Sequence, residues 1–298
     1  MISAVATKTR NRLELVAGAA LFSTAGAAIK ACALTSWQVA SFRAAIAALA
    51  VVLLVPAVRR GLSARAALVG VAYAITVVLF VQANKLTTAA STIFLEATSP
   101  LYIVLLQPLL LKERVPRRDL AALAALAVGL VLVLLGAEDA APTAPDPRLG
   151  NVLAAVSGCT CAFMMVGLRW LARDADEASG APAAVVLGNL FAFVATLPMA
   201  LPVAQARPAD WALIAYLGVF QIGVAYFLLL SALRHVAALE ASLLMFVEPV
   251  LSPIWAWLFH GETPGTWTLA GGAVILATTG LRGWLERAGP LPVTPPPE

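Results

Sequence analysis

Ten long apolar runs, most of them close to twenty residues, restrict what this chain can fold into. A helix needs about twenty apolar residues to cross the roughly 30 Å hydrocarbon core of a bilayer. The runs, which we call spans one to ten, cover residues 13–32, 37–58, 66–85, 88–111, 119–136, 149–171, 181–203, 209–233, 237–260 and 265–285. Charged residues make up only 12% of the chain, whereas soluble domains carry about 25%. The composition therefore predicts an all-α membrane protein that crosses the bilayer ten times.

The two halves of the chain are similar in sequence. When the 298 residues are shifted by half their number, Pro100 aligns with Pro249 and Glu113 aligns with Glu262. Each copy has a polar residue and a proline inside an apolar run, followed by a glutamate at the end of that run. Because each half has an odd number of spans, the second half must enter the membrane from the opposite side. The pattern predicts two inverted five-helix repeats around a central cavity, as in many secondary transporters.

Lysine and arginine residues are distributed unevenly between the two sides of the predicted membrane. With a cytoplasmic N-terminus, most of them lie in cytoplasmic segments, and the outer ends hold only Lys30, Lys85, Arg148 and Arg207. Positive residues concentrate on the cytoplasmic side of membrane proteins, so both termini are predicted there. We expect a cytoplasmic N-terminus at residues 1–12, a first repeat at 13–136, a linker at 137–148, a second repeat at 149–285 and a disordered cytoplasmic tail at 286–298.

The sequence contains none of the common catalytic or metal-binding motifs. It has no HExxH, no aspartate-rich diphosphate motif, no glycine-rich phosphate loop and no nucleophile elbow. Cys32, Cys159 and Cys161 lie in apolar runs and predict neither a disulfide framework nor a zinc site. Because topology accounts for the basic residues, the net charge of +4 does not indicate nucleic-acid binding. We expect no cofactor, no metal and no nucleic acid. The expected partners are a small-molecule substrate and membrane lipid, with monomer and oligomer both open.

Spans four and nine carry prolines well inside the predicted membrane. Pro100 prevents a helical hydrogen bond to the carbonyl of Glu96, and Pro249 prevents one to the carbonyl of Met245. In hydrocarbon, such carbonyls need protein or water as partners. We predict that Pro100, Pro249 and Pro253 form kinks or hinges and that both spans face a cavity. A kink that serves packing alone is the alternative.

Three ionisable residues lie deep in the predicted membrane, namely Arg43, Glu96 and Glu248. A charge that faces lipid costs several kcal/mol, so each should face the protein interior or water. Arg43 could pair structurally with a glutamate, or it could neutralise a substrate carboxylate while a glutamate receives an ammonium group or a proton. Glu113 and Glu262, at span ends, fit a structural or gating role. The predicted substrate-binding residues are Arg43, Gln82, Glu96, Ser99, Tyr102, Gln221, Glu248 and Trp255.

Two related stretches carry a family resemblance. Residues 248–262 read EPVLSPIWAWLFHGE, and residues 99–113 read SPLYIVLLQPLLLKE. Together with SFRA at residues 41–44, they resemble the EamA-type branch of the drug/metabolite transporter superfamily, and most of all its bacterial exporters of aromatic amino acids. The resemblance implies a basket of helices whose cavity is lined by spans one, three, four, six, eight and nine. It also implies export by alternating access. Lys112 is a departure, since the family often has glycine there.

These observations predict a secondary exporter of aromatic or other bulky neutral amino acids and related metabolites in a bacterial inner membrane. An exporter of a different small metabolite or drug from the same superfamily is the main alternative. Strongly anionic solutes would require several deep cations, and the sequence offers only Arg43. An intramembrane enzyme is the remote alternative, because no catalytic motif supports it.

Overall fold

The structure is a computed structural model that describes residues 2–56, 58, 61–103, 117–136, 139–173, 180–233 and 244–288. Over these residues the backbone is helical apart from short connections and one isolated bridge between Ala141 and Ala144. Glu113, Lys112 and residues 289–298 of the predicted tail lie outside the described residues. The helices are Ile2–Ser23, Ala25–Ala31, Ser36–Leu54, Ala64–Leu86, Ala89–Glu96, Arg117–Leu135, Pro147–Arg173, Gly180–Ala200, Pro208–Tyr216, Leu217–Val224, Ala225–Leu233, Val247–His260 and Thr266–Ala288.

Six of the described segments are long and apolar enough to cross a membrane. They are Thr9–Ala31, Ser36–Leu54, Ala64–Leu86, Pro147–Leu168, Gly180–Ala200 and Pro208–Leu229. Two shorter apolar helices, Leu120–Leu135 and Thr266–Leu281, correspond to spans five and ten. Spans four and nine are described only in part. The prediction of an all-helical, multi-spanning fold is confirmed.

Short polar residues define where several spans begin. Thr35 accepts a hydrogen bond from the backbone N–H of Gln38, and the Gln38 side chain accepts one from the backbone N–H of Thr35. This reciprocal pair is a capping box, and it satisfies two N–H groups at the start of span two. Ser63 caps span three, and Thr88 caps span four, by accepting from backbone N–H groups three residues later. The caps therefore fix the residues at which spans two, three and four begin.

Spans three and six pack against each other in opposite directions. A Cβ atom on Gly150, near the start of span six, would lie 2.6 Å from the Cβ atom of Thr87, at the end of span three. A Cβ atom on Gly167, near the end of span six, would lie 2.6 Å from Val69, near the start of span three. Glycine allows helix backbones to approach this closely. Because consecutive spans alternate in direction, span six also runs opposite to span one, as inverted repeats require.

Contacts between the halves follow a two-fold pattern. Span three packs on spans six and seven, and span eight packs correspondingly on spans one and two. Span four packs on span six, and span nine packs on span one. Spans two and seven contact each other, as do spans five and ten. Exchanging spans one to five with spans six to ten therefore maps each of these contacts onto another one or onto itself, and the two halves interlock.

Three spans are interrupted near their middle in the described part of the chain. Span one breaks at Thr24, between helices Ile2–Ser23 and Ala25–Ala31. In span four the first helix ends at Glu96 and the helix resumes close to Pro100. Span nine has a turn at Phe246, three residues before Pro249. The breaks in spans four and nine fall close to a proline, which removes a backbone hydrogen bond, so the carbonyls there need other partners.

Candidate functional site

A cavity of about 250 Å³ lies between the interrupted parts of spans one, four and nine. Spans three, six and eight complete its wall, so its lining comes from the six spans that the family resemblance implies. Span two adds a single residue, Arg43. Four of the eight predicted substrate-binding residues line this cavity, and they are Arg43, Glu96, Gln221 and Glu248. Pro249 lines it as well.

Arg43 is the one cation among the described residues that line the cavity. The residue is only 4% exposed, and its Nη1 atom has no hydrogen-bond partner among the described residues. Glu96, Tyr73 and Tyr226 are close enough to interact with it electrostatically. Among the described residues, however, Arg43 and Glu96 form no ion pair within 4 Å. The guanidinium therefore keeps unused hydrogen-bonding capacity at the cavity wall.

Two carboxylates face the same cavity from the two proline spans. Glu96 is the last residue of the first helix of span four, and Ser157 of span six donates to its Oε1 atom across 3.5 Å. Glu248 lies in the first turn of helix Val247–His260, directly before Pro249. Both glutamates stand next to a helix break, so the breaks and the carboxylates occupy one region. In the described part of the chain, one cation and two carboxylates thus converge on a single space.

Aromatic rings form one side of the cavity. The Tyr73 and Tyr226 ring centroids are 6.1 Å apart, and Tyr226 meets Phe22 edge to face with centroids 5.2 Å apart. Asn189 of span seven donates from Nδ2 to the Tyr73 hydroxyl oxygen over 3.1 Å and holds that ring in place. Phe80 also lines the cavity. These rings give the cavity a surface that is suited to an apolar or aromatic part of a solute.

Gln221 lines the cavity from a π-helical segment of span eight. Residues Leu217–Val224 of span eight form a π-helix, a wider turn that appears mostly as short insertions and often at functional sites. Gln221 is buried, and its Oε1 atom has no hydrogen-bond partner among the described residues. A Cβ atom on Gly218 would lie 2.6 Å from Ile46 of span two, so the wider turn packs closely there. The π-helix supplies a second unsatisfied polar group to the same cavity.

The sequence pattern that defines the EamA-like transporter family matches residues 13–135 and 148–281. The chain belongs to the EamA-like transporter family. It is a multi-pass membrane protein of a family that transports small molecules across membranes. The two matched segments cover both halves of the chain and include every described residue that lines the cavity.

Two relatives and a solved structure are similar to this EamA-like transporter. An uncharacterized transporter of Archaeoglobus fulgidus is 29% identical over 213 residues, which are 71% of this chain and 73% of the relative. The pseudopaline exporter CntI of Pseudomonas aeruginosa is 26% identical over 267 residues, or 86% of this chain and 89% of the relative. A solved protein crystal structure with 21% identity superposes with a TM-score of 0.59 and covers 94% of this chain and 98% of its own. At that identity the structural likeness supports the fold alone.

The other predicted site residues of this EamA-like transporter lie elsewhere. Trp255 donates from Nε1 to the Ser23 hydroxyl over 2.9 Å and lines a separate, mainly apolar groove of about 490 Å³ between spans one, eight and nine. Pro253 lies inside helix Val247–His260. Their assignments stay predictions, because nothing observed tests them. The predicted residues that do not line the cavity are Gln82, Ser99, Pro100, Tyr102, Pro253 and Trp255.

Several cavity residues of this transporter gave no usable signal in the sequence. Thr76, Cys161, Met164 and Met165 line the cavity, but each belongs to an ordinary-looking apolar run. Tyr73 and Tyr226 carry a weak signal, since a polar-tipped ring inside a span can line a solute path but is at least as often part of ordinary packing. Within the described residues, no three His, Cys, Asp or Glu side chains come together as metal ligands would. The described side chains that line the cavity can pair charges, form hydrogen bonds and make aromatic contacts.

Proposed function

We propose that this protein exports aromatic or other bulky neutral amino acids and related metabolites across a bacterial inner membrane by alternating access. The solute would bind in the central cavity between spans four and nine, and both chain ends would lie in the cytoplasm. The observation that carries the proposal is the convergence of Arg43, Glu96 and Glu248 on one cavity that also has an aromatic wall. Together these groups complement an amino acid, which has a carboxylate, an ammonium group and a side chain.

Arg43 is the proposed partner of the solute carboxylate. Its planar guanidinium can hold a carboxylate through two parallel hydrogen bonds, and its Nη1 atom is without a partner among the described residues. Gln221 offers an unsatisfied carbonyl oxygen, which could accept a hydrogen bond from the solute ammonium group. A buried polar group without a partner is costly, so a solute that satisfies both groups gains affinity.

Glu96 or Glu248 is the proposed partner of the ammonium group or of a proton. The described residues that line the cavity include one cation and two carboxylates, so with these groups an electrically neutral amino acid would leave one surplus negative charge. A proton on either glutamate would neutralise that charge, and charges at membrane depth are tolerated only when balanced or wet. The charge count therefore supports a role for one glutamate as a proton carrier during export.

The size of the cavity supports a small solute. Its volume is about 250 Å³, whereas pockets for drug-sized ligands measure about 300–1,000 Å³. Tyr73, Tyr226, Phe22 and Phe80 provide an apolar surface for the solute side chain. A single deep cation also favours a solute with one carboxylate over a phosphorylated one. These features favour amino acids over drugs and nucleotide sugars.

A flux assay with purified protein in proteoliposomes tests the substrate class. Radiolabelled phenylalanine and threonine should cross the membrane faster with wild-type protein than with empty liposomes, and the rate should change between two pH values if a glutamate carries a proton. The matched control is the Arg43→Ala protein at the same density. Absence of protein-dependent flux for every amino acid in the panel would reject this assignment.

A different metabolite is the second candidate solute. It is favoured by the similarity to the pseudopaline exporter CntI, which extends over 86% of this chain. The same liposomes can be tested with pseudopaline as the solute. Flux of pseudopaline without flux of any amino acid would move the assignment to this second candidate.

A further inference from the structure

A buried ion pair joins the two halves of the chain at the predicted outer side. Lys30 Nζ lies 2.8 Å from Glu262 Oε1, and the two side chains are 3% and 2% exposed. Lys30 ends span one, whereas Glu262 lies between spans nine and ten. Lys30 is one of the few cations on the predicted outer side. The positive-inside tendency explains cations on the cytoplasmic side, so it does not explain Lys30.

Each partner of the pair has further bonds that fix its position. Lys30 Nζ donates to the backbone carbonyls of Thr87 over 2.7 Å and of Thr143 over 2.5 Å. Glu262 Oε2 accepts from the backbone N–H of Ala89 over 3.0 Å. The pair therefore connects span one, the turn between spans three and four, the central linker and the loop between spans nine and ten. The ion pair and these hydrogen bonds offset part of the cost of burying the two charges.

The end of span nine is shaped to deliver Glu262 to this position. Gly261 has a φ angle of 66° and terminates helix Val247–His260 in the left-handed conformation. Its N–H bonds the carbonyl of Trp257 over 2.9 Å, and the N–H of Glu262 bonds the carbonyl of Ala256 over 3.4 Å. Glycine is the residue that adopts this conformation without strain. The chain thus reverses sharply, and Glu262 turns back into the protein.

A layer of close packing separates the ion pair from the central cavity. A Cβ atom on Gly26 would lie 2.8 Å from Ala89, 3.0 Å from Asn84 and 3.5 Å from Ser252. Spans one, three, four and nine therefore meet around Gly26. The neighbouring residue Ala25 lines the central cavity. A smaller cavity of about 140 Å³ adjoins Glu262 and shares no lining residue with the central one.

We infer that the Lys30–Glu262 pair and the close packing at Gly26 form the outer gate of the transport path and that this gate is closed in the structure. The inference rests on the proposed alternating access, because a solute in the central cavity can leave outward only if this layer separates. Removing one partner leaves the other charge buried and unpaired in the closed state, whereas water can solvate it in the open state. Single neutral substitutions therefore shift the population toward the outward-open state.

The test measures access to the cavity from outside and requires no solute. In a protein without Cys32, Cys159 and Cys161, Ile93→Cys places one thiol on the central cavity, where Ile93 is 7% exposed. A membrane-impermeant maleimide is added to the outer face of intact cells, and the labelling rate is measured. Glu262→Gln should raise that rate about tenfold or more, because loss of a buried ion-pair partner typically shifts such equilibria by that much or more.

Asp139→Asn is the matched control, since Asp139 is an exposed carboxylate that lines the same small outer cavity. It should leave the labelling rate unchanged. Lys30→Met provides a second measurement if Glu262→Gln fails to fold. The double variant Lys30→Met with Glu262→Gln should label no faster than the faster single variant, because paired residues are not additive.

Three results would overturn the gate. They are unchanged labelling in both single variants of folded protein, equal acceleration by Asp139→Asn, and additive acceleration in the double variant. Because labelling needs no transported solute, these results differ from a failure of the proposed amino-acid export. If labelling is faster but no amino acid is transported, the proposed substrate class is rejected and the proposed outer gate is supported.

Discussion

Arg43→Gln tests the proposed role of the deep cation most directly. Arg43 is 4% exposed and lines the central cavity with an Nη1 atom that has no partner among the described residues. Glutamine keeps a polar side chain with hydrogen-bonding capacity, but it removes the charge and the planar fork that matches a carboxylate. The variant should therefore lose recognition of the carboxylate while retaining the shape of the site.

The magnitude follows from the burial of this group. Truncating one partner of a buried, hydrogen-bonded charge pair costs about 2–5 kcal/mol. At about 1.4 kcal/mol per tenfold, affinity for a solute with a carboxylate should fall about 30-fold or more. A solute that lacks the carboxylate makes no such pair, so its affinity should change much less. The preference for phenylalanine over phenethylamine should consequently fall by the same large factor.

The assay is competition between these two solutes for labelled phenylalanine flux in proteoliposomes. Arg148→Gln is the matched control, because Arg148 is exposed at the predicted outer side and is not among the residues that line the cavity. Arg43→Lys, which keeps the charge but not the fork, should give an intermediate preference. Gel filtration and thermal unfolding in detergent report whether each variant is folded.

Two outcomes would refute this reasoning. If folded Arg43→Gln protein keeps the wild-type preference for phenylalanine, then Arg43 does not bind the carboxylate. If both solutes lose affinity equally, the side chain organises the cavity without recognising that group. Loss of folding in both the Gln and the Lys variants would assign Arg43 to structure, which is the alternative that the sequence left open.

Two further predictions concern the carboxylates proposed to carry a proton and the packing of spans three and seven. Glu248→Gln should lower transport about tenfold or more, because the variant loses an acceptor for an ammonium group or a proton. Membrane insertion should stay normal. A flux assay measures the transport rate, and the yield of protein in the membrane measures insertion. Gly188→Val should lower the free energy of unfolding by about 1–3 kcal/mol through overpacking. Even the Cβ atom of the new side chain would lie 2.5 Å from the Tyr73 ring and 2.8 Å from the Gly70 carbonyl. Thermal unfolding measures the loss of stability.

Each of these predictions has its own control. Normal flux in both Glu248→Gln and Glu96→Gln would show that the carboxylates of the cavity serve structure only. For the packing prediction, Gly280→Val is the comparison, because a Cβ atom on Gly280 meets nothing within 4 Å. If Gly280→Val is as destabilised as Gly188→Val, the loss comes from glycine replacement in general and the steric argument is wrong.

Much of the fold follows from the sequence because hydrocarbon tolerates few alternatives. Apolar length identifies the spans, and the prolines of spans four and nine mark the regions of the helix breaks that border the cavity. Arg43, Glu96 and Glu248 had to face inward, since lipid does not accept unpaired charge, and all three line the cavity.

Partners across the fold could not be predicted in this way. Helical spacing places Trp255 on the same face of span nine as Glu248. In the structure, however, the Trp255 indole N–H donates a hydrogen bond to the Ser23 hydroxyl of span one. Lys30 looked like an ordinary outer cation, and its position opposite Glu262 depends on how four distant segments meet. Spacing along a helix defines its faces, but tertiary packing decides which neighbour each face meets. The π-helix at Gln221 likewise has no marker in the local sequence.

The interlocking of the halves constrains how the protein is made. The main neighbours of span three are spans six and seven, which leave the ribosome only after the whole first half has been inserted. Until the second half is inserted, lipid or an insertion factor must therefore cover the packing surfaces of the early spans in the bilayer. A gene cut at the linker should yield a first half that is rapidly degraded when made alone and that survives when the second half is made beside it.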